Sequence, residues 1–245
     1  MVPLNDENPV RRRSYVTYGL IILNVLAFLY EASLMGGPAL EQFFRTWAIV
    51  PVELTSSLVG DPNYSLAGEG LSLITSQFLH AGLLHLGGNM LYLWIFGNNV
   101  EDQMGHVRFL IFYLLCGVLA GLAQWYFARY SDIPSLGASG AIAGVMGAYI
   151  LRFPQVRILT LLPIFLFITV VRIPAIFFLG LWFVQQAFYG IASLGAPANV
   201  GMESGGVAYW AHAGGFLFGA VLGPIFGLFP GGTASPESSE TKDYI

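Results

Sequence analysis

Charge is the scarcest commodity in this 245-residue chain. Asp, Glu, Lys and Arg make up 10% of it, against about 25% in ordinary soluble domains. So few charges cannot cover a water-facing surface. With 56% hydrophobic residues and a mean hydropathy of +0.67, the apolar excess must face lipid. The net charge of −4 comes with no basic patch, which argues against nucleic acid as a partner. There is one cysteine, Cys116, inside an apolar run. It excludes an intrachain disulfide and leaves the redox compartment open. No internal repeat is visible, so an inverted-repeat transporter gains no support.

What is present is a series of apolar runs. Spanning a bilayer takes about 20 mostly apolar residues. Six stretches qualify or nearly so: 15–36, 80–98, 107–129, 137–153, 173–194 and 207–229. Basic residues precede the first, as in a signal peptide. That stretch is too long and lacks a small-residue cleavage site, so it reads as a retained membrane helix. The run "ILTLLPIFLFITVV" (158–171) is apolar but short and contains Pro163. It is counted as a loop, with an interfacial segment or an extension of the fourth span as alternatives.

The expectation is therefore an all-α polytopic membrane protein with six transmembrane helices. Residues 1–14 form a cytoplasmic N-terminal segment, 15–229 the membrane domain, and 230–245 a disordered cytoplasmic tail rich in Pro, Gly and Ser. Six spans place Arg11, Arg12, Arg13, Arg108, Arg152, Arg157, Arg172 and Lys242 inside, leaving only Arg45 and Arg129 outside. That asymmetry puts both termini in the cytoplasm. The outer loop, 37–79, contains "ALEQFFRTWAIVPVEL", which is aromatic enough to lie in the interface.

Strongly polar side chains inside spans are costly and mark function. His80, His85 and Asn89 lie in the second span, Ser139 opens the fourth, and His212 lies near the start of the sixth. All sit near the outer end, a coincidence that the arginine count did not use. A serine in a membrane helix on its own more often bonds a carbonyl or simply lets helices approach. His212 changes that weighting, because a serine nucleophile needs a base within hydrogen-bond reach. Such closeness needs small residues. The sixth span carries Ala211, Gly215, Gly219, Gly223 and Gly227 at intervals of four, and the fourth carries Gly140, Gly144 and Ala148. Two such ridges can pack nearly backbone to backbone. No carboxylate lies near His212 within the spans, the nearest acid in sequence being Glu203 in the external loop, and Glu31 in the first span has no evident role. A Ser139–His212 dyad is expected rather than a triad.

His85 and Asn89, four apart on one helix face, are donors suited to a developing oxyanion or to gluing spans together. His80 and His85 are five apart, about 140° around a helix, with no glutamate between them, so zinc is not expected. No other cofactor is implied.

The ordered set H-x4-H-x3-N, G-x-S-G and A-H-x-x-G, with "NPVRRRS" before the first span, resembles the rhomboid intramembrane serine proteases. The resemblance covers most of the chain. It implies a six-helix core with a water-accessible site below the outer surface. Ser139 would be the nucleophile and His212 the base. The Ser139 backbone N–H, His85 and Asn89 would form the oxyanion hole, and His80 would support them. Single-span membrane proteins would be the substrates, and a prokaryotic cell membrane the location. Some family members stack a tyrosine on the histidine from the position held here by Ala143. Tyr209 and Trp210 are the candidate replacements.

Overall fold

The computed structural model describes residues 1–164, 167–194 and 208–229. A short strand β1 (Val2–Asp6) precedes α1 (Tyr15–Ser33). Three small helices follow, α2 (Pro38–Trp47), α3 (Pro51–Leu58) and α4 (Leu66–Thr75). Helix α5 (Leu83–Tyr92) then runs through a π turn (Leu93–Gly97) into α6 (Asn98–Met104). Gly105, at φ +78°, allows the sharp turn into α7 (His106–Ala128). Next come α8 (Ser139–Arg152), strands β2 (Arg157–Ile164) and β3 (Phe167–Pro174), α9 (Ala175–Ser193) and α10 (Tyr209–Ile225).

Each of the six apolar stretches contains a helix. Three of these, α1, α7 and α9, are long and apolar enough to cross a membrane. Helix α1 is built inside out for water. It buries Thr17, Leu20, Asn24, Phe28 and Glu31 along one i, i+3/i+4 stripe and exposes Ile22, Leu23, Leu26 and Leu29. Helix α9 likewise buries Gln186 and Gly190 and exposes Phe177, Leu181, Val184 and Phe188. Polar groups facing the bundle and large apolar ones facing out are the mark of a lipid-embedded protein.

The all-α expectation needs correction. Within the run 158–171, counted above as a loop, residues 158–164 and 167–171 are strand: β2 and β3 pair antiparallel from Arg157↔Pro174 to Ile164↔Phe167. Strand β1, within the supposed N-terminal segment, adds to β2 and gives a three-stranded sheet in the order β1-β2-β3. The reason is composition. Ile, Val and Thr make up most of β3, and β2 mixes Ile and Thr with Leu, a set that suits a pleated half-buried surface. Pro163 falls beyond the stretch of β2 that pairs with β1, where its missing N–H costs little.

Two buried carboxylates tie the ends of this architecture together. Glu101 accepts from the N–H groups of Val16 (2.9 Å) and Thr17 (2.8 Å) and from the Thr17 hydroxyl (2.7 Å). Those amides open α1 and have no intrahelical acceptor of their own. Asp6 of β1 accepts from the Tyr149 hydroxyl of α8 at 2.5 Å and from Asn99 Nδ2 at 2.8 Å. Burial pushes the Asp6 carboxyl up from 3.8 to about 6. The disordered-tail expectation for 230–245 lies outside the described residues.

At the centre, α8 is enclosed over most of its length: Gly140 through Tyr149 are all buried. It crosses α10 with almost no side chain between them. A Cβ at Gly215 would overlap the Gly140 carbonyl, one at Gly219 the Gly144 carbonyl, and one at Gly147 the Phe216 carbonyl. On its other side Gly140 meets Ala120, and Gly144 meets Cys116, both of α7. The small residues thus bring three backbones together at one place.

Candidate active site

The α8–α10 crossing sets Ser139 against His212. The Ser139 hydroxyl donates to His212 Nε2 at 2.7 Å. Ser139 is the first residue of α8, so its backbone N–H is among those that the helix leaves without an acceptor. Gln124 of α7 holds the His212 segment from the other side: its Oε1 accepts the Ala211 N–H at 3.2 Å.

A third group touches the imidazole. Gln186 of α9 is buried, and its Oε1 accepts from His212 Nδ1 at 2.8 Å. A search for carboxylates passes over it. The available signal was a Gln-Gln pair, 185–186, inside an otherwise apolar run. Four residues earlier on the same helix, Trp182 lies beside the imidazole, with ring centroids 5.6 Å apart and 33° between planes. It is the aromatic neighbour that Tyr209 and Trp210 were expected to supply. Those two are engaged elsewhere: Trp210 stacks on Phe127 at 3.7 Å, and Tyr209 packs on Tyr189 at 5.3 Å. Ala143 is buried in the core.

The chain reaches Ser139 through Gly137, whose φ of +128° favours glycine. Its N–H donates to the Ser76 carbonyl at 2.8 Å. A Cβ on Gly137 would lie 2.9 Å from His85 Nε2 and 3.7 Å from Asn89 Nδ2. Both α5 donors therefore converge on the residue two before Ser139. Asn89 Nδ2 is buried and has no acceptor among the described residues. A cavity of about 30 Å³ lies alongside, bordered by Ser76, Gln77, Ser135, Gly137, Ser139 and Ala211.

His80 sits behind this group, fully buried, with its ring edge-on to His85 at 5.1 Å. Glu31 of α1 now has a place: both its carboxylate oxygens accept the His80 backbone N–H at 3.2 Å. His80 and Glu31 form a prop under His85 rather than a separate centre. Among the described residues, no three His, Cys, Asp or Glu side chains gather in a way that could hold a metal ion.

The rhomboid domain model matches residues 67–229, about two thirds of the chain, including all of α5 through α10. The chain belongs to the rhomboid family. Among curated proteins it is 30% identical over 212 residues to rhomboid protein 1, mitochondrial, of Saccharomyces cerevisiae, covering 85% of this chain and 52% of that protein. It is 46% identical over 81 residues to rhomboid protease GluP of Bacillus subtilis (33% of this chain, 15% of that one). It is 35% identical over 100 residues to presenilin-associated rhomboid-like protein, mitochondrial, of Mus musculus (39% and 26%). The chain thus spans about half the length of the yeast relative and less of the other two. The two mitochondrial names do not fit the expectation of a prokaryotic cell membrane, and what stands is that this is a membrane protein.

Proposed function

We propose that this protein is an intramembrane serine endopeptidase that cuts single-span membrane proteins at or near the outer end of their transmembrane helix. The observation that carries this is the 2.7 Å hydrogen bond from Ser139 to His212 Nε2, made between two helices that glycine allows to touch. It supplies a nucleophile with a base in reach.

In this mechanism six helices span the bilayer: α1, the α5–α6 unit, α7, α8, α9 and α10. Both termini are cytoplasmic, with 15–229 as the membrane domain. The site then lies toward the outer side, and water enters from there. A substrate helix unwinds at its outer end, because an intact helix keeps its carbonyls in internal hydrogen bonds. His212 takes the Ser139 proton as the oxygen attacks the carbonyl carbon. The carbonyl oxygen gains negative charge beside the Ser139 N–H, His85 and Asn89, donors already fixed in place. His212 then protonates the leaving amine, and water, deprotonated by the same ring, releases the acyl group. No cofactor enters these steps. The cavity beside Ser139, lined mostly by Gly, Ala and Ser, suits a small side chain next to the cut bond.

The test is a single-span reporter in proteoliposomes, cut by the wild type and left intact by Ser139→Ala. Equal cutting by both would make Ser139 packing material. Binding of the reporter without cutting by either would favour a helix-binding relative that has no catalysis.

A further inference from the structure

We infer that Gln186 of α9 is the positioning residue for His212, selecting the ring tautomer that the serine requires. This rests on the protease function proposed above. Neutral imidazole carries one N–H and one bare nitrogen, and which is which follows from the partners. The Gln186 carbonyl oxygen can only accept, so at 2.8 Å it holds the proton on Nδ1. Nε2 is then bare and accepts the Ser139 hydroxyl at 2.7 Å. The reverse tautomer would set a lone pair against the Gln186 oxygen, losing that bond, and would turn N–H toward Ser139, so that the nitrogen could not take the serine proton.

Nothing else among the described side chains hydrogen-bonds to Nδ1. Gln186 is itself buried and makes no other bond recorded among the described residues, so its amide is committed to this contact. Trp182, one turn earlier, limits tilt of the ring from the same helix. Helix α9 is seated on α10 by Phe183 stacked on Phe216 at 4.8 Å and by Gly190 beneath Trp210. The imidazole is therefore gripped by α8 at one nitrogen and by α9 at the other. A carboxylate, which does this in soluble triads, would have to be desolvated here. An amide supplies the same acceptor without a charge.

The experiment compares wild type, Gln186→Met and Gln186→Glu in detergent. It reads labelling of Ser139 by a fluorophosphonate, reporter kcat and KM, and the melting temperature. Met matches the volume and removes the acceptor. Labelling and kcat should fall together by about 10- to 100-fold, less than the roughly 10⁴-fold that a wrong tautomer costs a carboxylate triad. KM and melting should stay where they were. Ionised Glu has only acceptor oxygens, and protonated Glu keeps a carbonyl oxygen that accepts, so this variant should restore labelling to within about tenfold of wild type. Wild-type labelling in Gln186→Met overturns the inference. So does a folded Gln186→Glu as inactive as Gln186→Met, since an acceptor would then not be what matters. Should Gln186→Met fail to fold, the Glu variant decides: labelling within about tenfold of wild type supports the inference, and a folded Gln186→Glu that does not label overturns it. A wild type that neither labels nor cuts overturns the protease function and this role with it.

Discussion

Gly219→Ala adds a single methyl group far from the chemistry, yet it should disarm the site. The new Cβ would overlap the Gly144 carbonyl oxygen. The obstacle is backbone, which cannot swing aside as a side-chain end can. Real Cβ atoms essentially never come closer than 3.0 Å to such a neighbour, so α10 and α8 must part by about 1 Å or more. Both helices are stiff, and Ser139 lies five residues along α8 from Gly144, roughly 8 Å. Much of the separation therefore reaches the 2.7 Å bond to His212, stretching it to about 3.7 Å, beyond useful hydrogen-bond length. Overpacking of this kind costs about 1–3 kcal/mol. Replacing glycine by alanine in a helix returns only about 0.5–1 kcal/mol. The net result is a lower melting temperature and a large loss of Ser139 labelling. Gly19→Ala in α1 is the control: its Cβ meets nothing within 4 Å, so it should be neutral or stabilising. The assay follows fluorophosphonate labelling and thermal unfolding of both variants in one detergent. A Gly219→Ala protein with wild-type melting and labelling would refute the claim that backbone contact sets the Ser139–His212 distance.

Two further outcomes are expected. Asn89→Ala should lower kcat by roughly 10²- to 10³-fold with little change in KM, as removal of an oxyanion donor does; an effect on KM alone in reporter kinetics would instead make Asn89 a binding or packing group. Asp6, with its carboxyl at about 6 when folded and 3.8 as a free side chain, holds a proton in the native state that the unfolded chain has released. Stability should therefore fall as pH rises from about 4 to about 6 and then level, by on the order of 3 kcal/mol. Asp6→Asn should flatten that dependence in thermal unfolding, and a wild-type melting temperature that climbs over this range would contradict the assignment.

The helices were legible because long apolar runs have few alternatives, and each of the six stretches holds one. The sheet was not. An apolar run of fourteen residues with a proline suits a strand or a helix end equally well. Its outer partner, Val2–Asp6, lies more than 150 residues away, and nothing local announces that pairing. At the site, Ser139 and His212 were visible as polar groups at matching depth, flanked by small-residue rows. Gln186 escaped because it is uncharged. Its importance comes from a neighbour 26 positions away and not from its own chemistry. Trp182 escaped for a similar reason, since an aromatic in an apolar span looks like any other lipid-facing ring. Glu31 could be noticed but not interpreted, because what it binds is a backbone N–H that no sequence pattern displays.

In the six-span arrangement proposed above, helix α8, fourteen residues and about 21 Å long, would stand in a hydrocarbon layer about 30 Å deep. A helix bathed in lipid would have to tilt, thin the membrane or drag polar ends into oil to make up such a deficit. Over ten consecutive residues, Gly140 to Tyr149, helix α8 is enclosed by protein, and only near its far end does Leu151 reach the surface. It is therefore released from matching the membrane's thickness, and the missing length becomes a well. At the floor of that well, roughly 9 Å down in the proposed arrangement, the Ser139 hydroxyl would meet water while the bilayer outside stays intact.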